Sequence, residues 1–175
     1  MPTGPSPRLR VSIAFVAGGI TVGALDLLDA FVFFGLRGVA PARILQSIAA
    51  GVLGRDAIGG GTPVLLLGVA LHFLIAFTIV GIYFVATRRA PALHRHPIIF
   101  GAVYGIVAYL VMNYVVVPLS ATPGGGPKPA AVVVNGVLIH ILGVGIPAAL
   151  AARAAWGAPE PLRESTVDRA RVPGT

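Results

Sequence analysis

Four segments of this chain are long and apolar enough to cross a lipid bilayer, and that excludes most folds. A span needs about 20 largely apolar residues. Val11 to Leu36, Pro63 to Thr87, Pro97 to Leu119 and Ala131 to Ala152 all qualify. Prolines and glycines bracket most of them, as boundary signals should. Arg8 and Arg10 ahead of the first segment would also fit a signal peptide. However, "VGA" (Val22 to Ala24) is a poor cleavage site, and the apolar run continues to Leu36. Of the 175 residues 56% are hydrophobic and 11% are charged, which is not a soluble composition. The expected fold is all-α: an integral membrane bundle of four transmembrane helices, formed by residues 11–154. Residues 1–10 form a short tail. Residues 155–175 form a polar tail rich in proline and charge, of the composition that stays disordered.

The net charge of +7 reads as membrane orientation, because the basic residues sit at the ends and in the connections. Arg8, Arg10, Arg88, Arg89, Arg95, Arg153, Arg163, Arg169 and Arg171 fall on one side, with His94 and His96 as further charge at a turn. Arg37, Arg43, Arg55 and Lys128 fall on the other. Both termini are therefore expected in the cytoplasm. No surface pattern of aromatic and basic residues points to nucleic acid. The expected partner is the lipid bilayer, together with a second copy or another membrane protein.

The first connection contains "PARILQSIAAGVLG". Its Ile44, Leu45, Ile48, Ala49, Val52 and Leu53 fall on one helical face, and Arg43, Gln46 and Ser47 fall on the other. Pro41 suits a helix start. The pattern predicts a short helix that lies at the outer interface or caps the bundle. The third connection, "ATPGGGPKPA", is a Gly/Pro loop.

The spans repeat. "GVALHFL" (Gly68 to Leu74) and "GVLIHIL" (Gly136 to Leu142) each place a histidine four residues after a glycine. The first and third spans each carry glycines four apart, Gly19 with Gly23 and Gly101 with Gly105, a spacing that lets helices approach closely. The first two helices thus correspond to the last two, as parallel-repeated hairpins about an axis along the membrane normal.

Counting from the outer ends at about 1.5 Å per residue puts His72, His140, Tyr109 and Asp26 near the midplane. Asp29, Asn113 and Asn135 fall nearer the outer surface. Asp26, Asp29, His72, Tyr109, Asn113 and His140 share helix faces with small residues, so the polar groups are expected to point into the bundle. Carboxylates at this depth cost a few kcal/mol unless paired or wetted. A His/Asp/Tyr layer there could bind or relay a small cation or a proton. Alternatively, it could be a structural network that fixes helix register. His72 and His140, with Asp26, are also the residues that could hold a divalent metal, and two histidines at one depth are the minimum for bis-histidine haem; no cofactor is expected. Cysteine is absent, which removes thiolate chemistry. No nucleophile–base motif, phosphate loop or nucleotide fingerprint appears, so an enzyme is not expected.

"LRGVAPARILQSIAAGVLG" (Leu36 to Gly54) and "VMNYVVVPLSA" (Val111 to Ala121) resemble stretches of small four-span bacterial inner-membrane proteins of unknown function. The resemblance implies a bacterial inner-membrane location. It implies no activity, cofactor or catalytic residue.

Overall fold

A computed structural model describes residues 6–123, 126 and 128–157. The tail with Arg163, Arg169 and Arg171 and the middle of the Gly/Pro loop lie outside the described residues. Among those described, all regular structure is helical. The helices are α1 (Pro7–Gly35), α2 (Pro41–Leu53), α3 (Thr62–Arg89), α4 (Ala92–Arg95), α5 (Pro97–Leu119) and α6 (Ala130–Trp156). Helices α1, α3, α5 and α6 are long and apolar enough to span a membrane. Their outward faces carry large exposed apolar side chains such as Ile13, Ile20, Leu28, Leu66, Leu74, Ile82 and Val103. An apolar belt of this kind suits lipid and not water.

Two helix ends lie further out than hydropathy placed them. Ser6 Oγ accepts the Leu9 N–H at 3.3 Å and Pro7 opens the first turn, so α1 begins before Val11 and takes in Arg8 and Arg10. Helix α6 continues past Ala152 to Trp156, whose indole N–H donates to Thr87 Oγ1 at 3.0 Å. Arg10 Nε donates to the Ala155 carbonyl at 3.1 Å. These bonds tie the start of α1 and the end of α3 to the end of α6. We call this the terminal end. His94 does not simply face solvent there. Its Nδ1 is buried and meets no hydrogen-bond partner among the described residues.

Helix α1 packs along both α3 and α6, and α5 packs along α6. The glycine pairs make the within-hairpin approaches possible. A Cβ on Gly19 or Gly23 would strike the rings of Phe77 or Phe73 on α3, and one on Gly101 or Gly105 would strike the α6 backbone from His140 to Ile146. The terminal half is tightly filled. Ala148, Ala149, Ala152 and Ala155 of α6 are buried against Ala14, Val80 and Phe84. Between α3 and α5, Tyr83 and Tyr104 stack edge to face at 4.9 Å. Tyr104 donates to the Ile79 carbonyl at 2.7 Å and Tyr83 to the Leu93 carbonyl at 3.0 Å, so both hydroxyls are satisfied.

At the opposite end α2 lies across α3. The Gly68 Cα faces the Leu45 carbonyl, and Ala121 N–H donates to the Gly51 carbonyl at 3.0 Å, which ties α2 to the end of α5. The expected division of α2 into faces holds for Ile44 and Ala49, which are buried, but not for Gln46, Val52 or Leu53. Gln46 is buried because its amide donates to the Gly60 carbonyl at 2.8 Å, supplying the glycine turn that follows. Val52 and Leu53 are exposed. Gly54 then ends the helix at φ 62°, a conformation other residues rarely adopt.

Candidate functional site

Two of the spanning helices widen locally. Met112–Val116 in α5 and His140–Gly145 in α6 are π-helical turns. The cause is local: Pro118 and Pro147 follow these turns. A proline has no N–H for the carbonyl four residues back, and its ring pushes that carbonyl aside. The residue before each proline then bonds five residues back, Val117 N–H to the Met112 carbonyl and Ile146 N–H to the Ile141 carbonyl. Such turns rotate side chains out of α register and are frequent at functional sites. Here they carry Asn113 and His140.

Above the tyrosine plug, α3 and α5 leave a cavity of about 400 Å³ between α1, α2, α3, α5 and α6. Val22, Ala76, Ile79 and Val144 form its floor, and Ser47 and Gly51 of α2 with Ser120 and Thr122 line its other end. Asp26, His72, Asn113 and His140 all line it. Four of the seven polar residues expected in one layer thus share one space.

Their hydrogen bonds fix their chemistry. His72 Nε2 lies 2.8 Å from the Gly23 carbonyl and His140 Nδ1 lies 2.9 Å from the Gly136 carbonyl. A carbonyl only accepts, so each of these nitrogens carries a proton. In the neutral imidazoles, His72 Nδ1 and His140 Nε2 are then the lone-pair nitrogens. The Asp26 carboxylate has no hydrogen-bond donor among the described residues. His140 Nδ1 lies 4.0 Å from its Oδ1, beyond hydrogen-bond range. Asp26 keeps 29% of its side-chain surface open and His140 15%, so the carboxylate faces space and not a protein partner.

The other three expected residues sit elsewhere. Asp29 accepts from Asn135 Nδ2 at 2.7 Å, which joins α1 to α6 away from the cavity lining. Tyr109 is buried, with its ring edge-on to His140 at 5.5 Å and its side chain against Gly136. It packs beside the cavity and does not line it. Asn113 donates to the Tyr109 carbonyl at 2.9 Å and accepts from the Lys128 ammonium with its Oδ1. As for a metal, no three His, Asp or Glu side chains gather as a ligand set among the described residues.

Sequence reasoning did not foresee Ser47, Ser120 and Thr122 as lining residues. Their nearest signal was the polar edge of α2 and the Ser-Ala-Thr exit from α5. Comparison with protein-family models, curated proteins and solved structures gives no match for this chain.

Proposed function

We propose that the chain is a multi-pass protein of a bacterial inner membrane, with both termini cytoplasmic, whose Asp26/His72/His140 cavity binds or relays a small cation or a proton. The observation that carries this reading is Asp26: a carboxylate inside a spanning helix, facing a cavity, with no donor from the described residues and two imidazoles in the same lining. Ionisable groups at such depth are costly and mark ion or proton pathways. The nine-to-four division of basic residues supports the orientation. The parallel repeat finds support in the two glycine pairs, each of which faces the next span: Gly19 and Gly23 the rings of Phe77 and Phe73, Gly101 and Gly105 the α6 backbone. Helix α2 is read as the interfacial helix, with its polar Arg43 and Ser47 exposed.

A second reading has its own support. The Asn135–Asp29 bond and the two histidine–carbonyl bonds are satisfied contacts, as in a purely structural layer of an accessory subunit. Proton flux separates the two. Protein reconstituted in liposomes with an internal pH-sensitive dye should pass protons under an imposed potential, and Asp26→Asn should lower the rate about tenfold, or about 1.4 kcal/mol, with its thermal midpoint within a few degrees of wild type. Flux no greater than in empty liposomes, or equal in the variant, would leave the structural reading.

A further inference from the structure

We infer that the cavity under α2 takes a small organic ammonium ion with an apolar body, its charged head on Asp26. This inference rests on the cation reading above and narrows it. A cavity of about 400 Å³ is far larger than the roughly 30 Å³ share of one water. It falls within the ~300–1,000 Å³ range of small-molecule pockets. A hard cation such as Mg²⁺ or Ca²⁺ would need about six oxygen ligands. Here the walls are mostly apolar, with one carboxylate, two imidazoles and Asn113 set among Ile75, Ile79, Val116 and Val144. An alkyl- or arylalkylammonium matches that division. Its hydrocarbon fills the apolar walls, and its N–H groups find acceptors that the protein leaves unused.

Those acceptors are specific. Asp26 accepts from no donor among the described residues, and the neutral imidazoles present lone pairs at His72 Nδ1 and His140 Nε2. An ammonium on Asp26 also cancels the buried charge, which is costly when left alone and much less so when paired. The protein's own ammonium at this end, Lys128, is held by Asn113 Oδ1; Lys128 is not part of the cavity lining. Ser47, Ser120 and Thr122 give the end nearest α2 a polar edge, with Ser120 Oγ donating to Thr122 Oγ1 at 2.8 Å.

The test uses the purified full chain in detergent and two probes of nearly equal shape, 2-phenylethylammonium and 2-phenylethanol, titrated calorimetrically. The ammonium should bind at least about tenfold tighter than the alcohol, or about 1.4 kcal/mol. Asp26→Asn should abolish that preference. Ser47→Trp, at an exposed position on the lining, should block both probes with its thermal midpoint near that of wild type. Equal affinities for the two probes would overturn the inference and leave an apolar cavity. Absence of ammonium binding alongside Asp26-dependent proton flux in liposomes would overturn the inference and spare the wider reading. Binding that persists unchanged in Ser47→Trp would place it outside this cavity and would also overturn the inference.

Discussion

Gly105 and Gly19 look alike in sequence, each one member of a four-spaced pair, but they face different neighbours. A Cβ on Gly105 would collide with the backbone of His140 and Ile141, which cannot move without displacing α6. A Cβ on Gly19 would meet only the Phe77 ring, which can turn aside. Overpacking of a fitted contact costs about 1–3 kcal/mol. Gly105→Ala is therefore expected near or beyond the upper end of that range, and Gly19→Ala near the lower. Thermal midpoints of the two variants in the same detergent give the order directly, and a larger loss for Gly19→Ala would contradict the packing. Spacing alone could announce both close approaches. It could not say which partner was backbone and which was a movable ring, because that depends on the rotation of each helix in the bundle. The same limit applies to the polar layer. Counting along each helix put Asp26, His72, His140 and Tyr109 at one depth; the cavity lining takes in the first three together with Asn113, which counting had put nearer the outer surface. Rotation was not legible, so Tyr109 packs beside the cavity and Asp29 pairs with Asn135 away from it.

Among the elements, the spans were legible because hydrophobic runs of this length have one physical use. The π turns were not, since hydropathy is unchanged when a helix widens. Their trace is the proline that follows each. A π turn holds one more residue than the α turn it replaces, and that gives a sharp expectation for α6. If Leu142, an exposed residue within the turn, is deleted, Ile146 N–H can keep its bond to the Ile141 carbonyl, which then becomes an ordinary bond four residues back. The faces on both sides keep their directions. Deleting Leu150, also exposed but in regular α-helix, turns everything after it by about 100° and pulls Ala152 and Ala155 from the core. The Leu142 deletion should give monodisperse protein with a modest loss of thermal midpoint. The Leu150 deletion should give much less folded protein. Equal damage from the two would mean that the π turn is not a one-residue excess. Helix α2 was half legible for a related reason. Its period was readable, but Gln46 reads as polar surface until the neighbouring glycine turn offers a carbonyl to its amide.

For the whole molecule, the two ends differ in both packing and charge. The terminal half is closed by alanines of α6 and by the Tyr83–Tyr104 plug. The other half holds the cavity beneath α2. Among the described residues, Arg8, Arg10, Arg88, Arg89, Arg95 and Arg153 belong to the terminal end, and Arg37, Arg43, Arg55 and Lys128 to the α2 end. The only carboxylates described are Asp26, Asp29 and Asp56, none of them at the terminal end. Basic residues close to spanning helices are retained on the cytoplasmic side, so the plugged end should face the cytoplasm and α2 the opposite compartment. The chain has no cysteine, which makes single-cysteine labelling unambiguous. Ala42→Cys on α2 and Ala92→Cys on α4 are both at exposed positions. In intact spheroplasts a membrane-impermeant maleimide should label the first and spare the second, and disruption of the membrane should expose the second. The reverse pattern would invert the orientation while leaving every internal contact as it is. It would also move the side nearest the cavity. With α2 outward, a ligand reaching Asp26 past Ser47 and Thr122 comes from outside the cell, and the tyrosine plug stands between it and the cytoplasm. With α2 inward, the same carboxylate would be served from the cytoplasm, and the proton gradient would act across the plug in the opposite sense.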